Sequence, residues 1–118
     1  MALEAGYRGI DTAAVYRQPV TATTSLTTVP RNHRTIAATL QEELPRLALT
    51  RTSIFLTSKL GPKDQGRVRC QAAIELAMEE LGTDYLDLFL IHWPGVQGVD
   101  VTSHTNRQLR KESWQVRV

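Results

Sequence analysis

The stretch SIFLTSKLGPKDQGRVRCQAAIELAMEELGTDYLDLFLIH, residues 53–92, contains a complete strand–helix–strand unit. Its first strand, SIFLTSK, is apolar through Ile54, Phe55 and Leu56, and Gly61 and Pro62 stop it and open a polar loop ending at Gly66. In the helix that follows, Cys70, Ala73, Ile74, Ala77, Met78 and Leu81 recur on one face. Glu75, Glu79 and Glu80 are expected off that face, and Gly82 ends the helix. YLDLFLIH is apolar on both faces apart from Asp87, which predicts a strand covered on both sides, as parallel sheets require. The interval from Lys59 to His92 matches one strand–helix–strand unit of roughly 30 residues.

Upstream, MALEAG reads as the last turn of a helix stopped by Gly6. Tyr7 to Asp11 then reads as a short strand with Tyr7, Gly9 and Asp11 on one face, and DTAAVYR as its exit loop. The threonine-rich PVTATTSLTTVPRN has no useful periodicity, so a loop or disordered insertion is expected over 18–33. From about Thr35 a helical stripe returns through Ile36, Leu40, Leu44 and Leu47, and Pro45 is expected to end that helix near Glu43 or Leu44. After Pro94 the chain turns polar, and QLRKESWQV is expected to begin a further helix. The order is strand, helix, strand, helix, strand: an α/β chain of about three parallel strands and two connecting helices, read as one domain over 1–118.

Composition excludes more than it assigns. The formal net charge of +2 comes from scattered arginines, which gives no support to a nucleic-acid groove. Cys70 is the single cysteine, so no intramolecular disulfide forms, and a reducing, cytoplasmic setting is expected. No stretch approaches the roughly 20 apolar residues of a membrane span, and no signal-peptide pattern opens the chain. His33 and His104 are expected in polar loops facing solvent, no metal site is expected, and Cys70 on an apolar helix face is read as core.

Asp11, Lys59 and His92 each end a predicted strand, and Tyr16 follows Asp11 closely. In a parallel sheet the carboxyl ends of the strands share one edge, where α/β folds place their chemistry. A phenol ordinarily keeps its proton to about pH 10. An ammonium within about 4–6 Å stabilises the phenolate, a carboxylate keeps that ammonium charged, and an imidazole orients a substrate oxygen. Such a set suits proton donation to an oxygen gaining negative charge, in carbonyl reduction by hydride or in acid–base isomerisation. Taken singly, each residue also has a plainer role: Asp11 as a turn cap, Tyr16 in packing, Lys59 as a solvated charge, His92 in a loop.

AGYRGIDTAAVYR, IFLTSKLGP, LGTDYLDLFLIHWPG and, more weakly, NRQLRKESW together resemble the aldo-keto reductases. The resemblance implies part of an eight-stranded (β/α)8 TIM barrel that transfers hydride from NADPH to an aldehyde or ketone. Tyr16 would be the general acid, Lys59 and Asp11 would assist its proton release, and His92 would orient the carbonyl. Val15 and Trp93 would line the substrate pocket, and Asp11 would also lie beside the nicotinamide ribose. In the family an Asn-Glu opening the next helix follows the tyrosine, whereas here Arg17 is followed by QPVTATTSLTTVP. A whole barrel takes about 250 residues, so a truncated member is expected, with the equivalents of strands two to four and without most NADPH contacts. The alternative is an inactive fragment associating through its exposed sheet edges.

Overall fold

The computed structural model describes residues 2–16 and 32–116. Residues 2–6 make a helical turn that Gly6 closes at φ 94°. Tyr7 N–H donates to Ala2 O at 3.0 Å and Gly6 N–H to Leu3 O at 3.2 Å, the paired bonds of a helix C-terminal cap. There follow β1 (Gly9–Asp11), α1 (Asn32–Arg46), β2 (Phe55–Leu60), α2 (Arg67–Leu81), β3 (Leu88–Ile91) and α3 (His104–Trp114). The strands form one parallel sheet in the order β1-β2-β3. The expected strand–helix alternation is therefore present, with a third helix after β3.

The pairing register sorts the side chains into two faces. Asp11 pairs with Thr57 and Lys59 with Leu90, so Gly9, Asp11, Phe55, Thr57, Lys59, Leu88 and Leu90 share one face. Ile10, Leu56, Ser58, Leu60, Phe89 and Ile91 take the other, and there the helices pack. Leu3, Leu40 and Ile54 form one buried cluster, with Ile10, Ile36, Leu44 and Leu47 packed against it. Leu60, Cys70 and Ile74 form a second, with Phe89 and Ile91 against it. Cys70 is thus core, as expected. Leu56 is fully buried between the layers, and truncating such a leucine to alanine costs about 2–5 kcal/mol.

Several expectations need correction. The strand β3 is covered on one side only: Leu88 and Leu90 are each 41% exposed and Phe55 is 52% exposed on the face away from the helices. The helix α1 begins at Asn32 and runs through Pro45 to Arg46. Pro45 sits in the last turn, where it costs the helix one hydrogen bond without ending it, and the helix stops instead at Ala48, whose φ is 53°. Of the loop expected over 18–33, residues 18–31 lie outside the described residues, while Asn32 and His33 already belong to α1. His33 is not a solvent-facing loop residue; it is fully buried. Glu80, expected off the apolar face of α2, is buried as well, because its carboxylate faces the His33 imidazole. The third helix starts at His104, earlier than expected, because the Ser103 hydroxyl caps it by accepting from Asn106 N–H at 3.1 Å. His104 itself is exposed on the first turn of that helix. No helix among the described residues is long and apolar enough to cross a membrane.

Candidate active site

The site is built from strand ends and the loops that leave them. Asp11 is the last residue of β1 and Lys59 the penultimate residue of β2, on the same face by register. Thr12, directly after β1, is fully buried, and its N–H donates to Thr57 O at 2.9 Å, which carries the β1–β2 pairing one step further. His92 follows β3, and its N–H donates to Leu60 O at 3.1 Å, which extends the β2–β3 pairing in the same way. All three functional side chains therefore inherit their positions from backbone ladders.

Lys59 is the hub. Its ammonium donates to Asp11 Oδ1, to Tyr16 OH at 3.3 Å and to Thr12 O at 3.3 Å, and lies 5.0 Å from the Tyr16 ring centroid. Burial is the largest single influence on this amine and pushes its pKa down. The hydrogen bonds it donates to Asp11 and Tyr16, with the Asp11 charge, outweigh it and hold the pKa above the ordinary lysine value. Lys59 is accordingly a charged donor at neutral pH. The Tyr16 and His92 rings meet edge-on, their centroids 5.7 Å apart at 87°. His92 also stacks on Trp93 at 6.1 Å and 25°.

The structure brings together Asp11, Tyr16, Lys59 and His92, with Trp93 beside them. Val15, 46% exposed, lies next to Gly61: a Cβ on Gly61 would come within 3.8 Å of its Cγ1. Asp11 is 66% exposed at its side chain, and Tyr16 is 40% exposed, so the cluster opens to solvent on the uncovered sheet face. Among the described residues no group of His, Cys, Asp and Glu could hold a metal ion.

Several supporting residues escape sequence reasoning. Asn32 donates from its backbone N–H to Tyr16 O at 3.2 Å and from Nδ2 to Thr12 Oγ1 at 3.2 Å. An asparagine thus opens the first helix after the tyrosine, at position 32. Gln65 is fully buried and its Nε2 donates to Trp93 O at 3.2 Å and Gly95 O at 2.9 Å, anchoring the loop after His92. The available signal for Gln65 was its place between the strand-ending Gly61-Pro62 and the helix, which is too common to single out a residue.

The family model described as the Aldo/keto reductase family matches residues 1–110. The chain is 44% identical over 94 residues to an aldo-keto reductase of Mycolicibacterium smegmatis, covering 80% of this chain and 27% of that protein. It is 38% identical over 94 residues to a glyoxal reductase of Bacillus subtilis, covering 80% and 28%. Among solved structures it is similar to an aldo/keto reductase from Brucella melitensis (TM-score 0.69, 33% identity, 97% of this chain and 34% of that one). It is also similar to a Bombyx mori aldo-keto reductase in complex with NADP (TM-score 0.73, 31% identity, 97% and 32%). The chain therefore spans between about a quarter and a third of the length of these relatives, and its sheet and helices are an unclosed portion of the α/β barrel they share.

Proposed function

Because the chain belongs to the aldo/keto reductase family, we propose that its open site takes part in reducing the carbonyl of a small aldehyde or ketone to an alcohol. The observation that carries this reading is the Lys59 ammonium, bonded at once to the Asp11 carboxylate and the Tyr16 phenol. Tyr16 donates its proton to the carbonyl oxygen as negative charge develops there, and Lys59 stabilises the phenolate left behind. Asp11 keeps Lys59 charged and aimed. His92 orients the carbonyl oxygen, and Val15 and Trp93 bound the side from which substrate enters.

The reaction needs a hydride donor, and NADPH is the one the family resemblance implies. The donor set fits its nicotinamide end: Asp11 is a largely exposed carboxylate beside the ammonium and phenol, able to accept from a ribose hydroxyl. When bound, the cofactor supplies hydride to the carbonyl carbon. The lone, buried Cys70 agrees with a cytoplasmic setting.

The test is NADPH titration of the purified chain, followed by NADPH consumption with a simple aromatic aldehyde. Saturable binding and turnover are expected, with Tyr16→Phe lowering kcat by about 10²–10⁴-fold. An absence of saturable binding would dispose of this reading for the chain alone. A second reading has its own observation, the exposed Phe55, Leu88 and Leu90 on the face that bears the site. On that reading the chain associates through this face and its strand edges and does not catalyse. A concentration-independent monomer in sedimentation velocity would count against it.

A further inference from the structure

Tyr16 and Lys59 must meet within hydrogen-bond reach, yet they come from segments with no covalent reason to be in register. One sits on the loop after β1, the other on β2. The helix α1 starts where these two segments converge, and its first two residues reach both. Asn32 N–H donates to Tyr16 O at 3.2 Å and Asn32 Nδ2 to Thr12 Oγ1 at 3.2 Å, while Thr12 O in turn accepts from Lys59. His33, the next residue, turns the opposite way into the interior. Its Nε2 lies 3.0 Å from Ser58 Oγ, and Ser58 directly precedes Lys59. Its Nδ1 faces Glu80 Oε2 of α2 at 3.3 Å, and Arg34 Nε approaches the other oxygen of that carboxylate at 3.8 Å.

His33 and Ser58 are fully buried and Glu80 nearly so, and no substrate reaches them. A serine, an imidazole and a carboxylate in series therefore do no chemistry of their own here. A buried ionisable group is retained at a cost unless it is fully partnered. The contact of His33 with Ser58, the residue directly before Lys59, assigns it a task. We infer that the Asn32–His33 pair is a positioning device: Asn32 fixes the Tyr16 loop, His33 fixes the end of β2 through Ser58, and their adjacency in one rigid helical turn sets the Tyr16–Lys59 distance. Glu80 orients the imidazole for that purpose and ties the turn to α2. Neither residue touches substrate, so both act through Tyr16 and Lys59.

The inference rests on the reductase reading for its kinetic consequence, but its geometric consequence can be measured without turnover. A glutamine at position 33 can place its amide near the Nε2 site and keep the bond to Ser58. An asparagine there can place its amide near the Nδ1 site, keeping the bond to Glu80 and losing the one to Ser58. Each loses one of these two buried hydrogen bonds, so a merely structural role predicts similar damage from each. In the full chain, the nuclear Overhauser contact between the Tyr16 ring and the Lys59 side-chain methylenes is the readout. It is expected to persist in His33→Gln and to be lost in His33→Asn, and to weaken in Asn32→Ala, which removes a partly exposed side chain and whose circular dichroism is checked against the wild type. If wild type turns over, His33→Asn lowers kcat on the order of tenfold or more with KM little changed, and His33→Gln restores most of it. Equal behaviour of His33→Gln and His33→Asn in the Overhauser contact, or a contact unchanged in all three variants, overturns the inference. If wild type shows no turnover, the reductase reading fails by itself and the Overhauser comparison still decides this one.

Discussion

Asp87 shows how much a single carboxylate does away from the site. It accepts from Leu56 N–H at 2.8 Å and from Arg51 Nη2 at 2.9 Å. The Leu56 N–H is the largest cause holding its carboxyl below the usual aspartate range, burial opposes it, and Arg51 adds to the lowering. Arg51 in turn donates to Ile54 O, Tyr85 O and Thr83 Oγ1 and lies over the Tyr85 ring, so this ion pair joins the start of β2 to the entry of β3. A folded-state pKa below the unfolded value contributes stability that is complete above about pH 4 and lost as pH falls through the depressed value. We expect Asp87→Asn to lower stability at pH 7 by about 1–2 kcal/mol and to shrink the further loss between pH 4 and pH 2, both read from urea unfolding. An unchanged acid slope would refute the assignment. Lys59 carries the opposite sign: its raised pKa favours the charged form at higher pH, and Asp11 helps to hold it there. On the reductase reading, Asp11→Asn should therefore move the alkaline limb of the kcat profile to lower pH, and an unmoved limb would mean that Asp11 does not support Lys59. That Asp11, Tyr16, Lys59 and His92 lie together was legible in sequence because each sits at or shortly after a strand end and in a recognisable word. His33 and Glu80 were not, since their pairing spans two helices and neither position breaks the polar pattern of its surroundings.

The elements were legible wherever periodicity was strong, and their boundaries were set by local contacts that periodicity does not report. The helix α2 stands where Cys70, Ile74, Ala77 and Leu81 predict it, and Gly82 closes it with φ 64°. The helix α1 outran its expected end: it carries Pro45 in its last turn and closes one residue later at Arg46, at the cost of the hydrogen bond that position would have donated. Its stop is Ala48 at φ 53°, with Leu49 N–H donating to Leu44 O at 2.8 Å and Ala48 N–H to Pro45 O at 3.1 Å. A Cβ in that left-handed conformation costs about 1–2 kcal/mol, partly offset by the smaller chain entropy that alanine loses. Ala48→Gly should therefore stabilise the protein by about 0.5–1 kcal/mol, visible as a higher thermal midpoint, and a lower midpoint would sink this account of the cap. At the other end of the sheet layer, Gly66 N–H donates to Ser113 Oγ at 2.8 Å, which locks the start of α2 to α3. Nothing in the local sequence of either helix signals that bond.

At the scale of the molecule, the face bearing the site is the face left open. Helices cover Leu56, Ser58 and Leu60, while Phe55, Leu88 and Leu90 point away from them and stay exposed. Exposed apolar side chains on a sheet with two outer strands favour self-association. On the reading in which the chain associates through this face, the double substitution Leu88→Thr and Leu90→Thr, which keeps β-forming residues, should reduce association in sedimentation velocity with little change in circular dichroism. An unaltered association profile would place the contact elsewhere. By itself the sequence determined the α/β order, the parallel pairing, the core stripes of α1 and α2, and which four side chains gather at the strand ends. Those rest on local periodicity and on residue types read in order along the chain. Only the tertiary structure decided that β3 is covered on one side, that Lys59 touches Asp11 and Tyr16 together, and that His33 lies buried between Ser58 and Glu80. Each of these depends on the register between strands and on which helix lands over which strand, and such long-range pairings leave no periodic trace in any single segment.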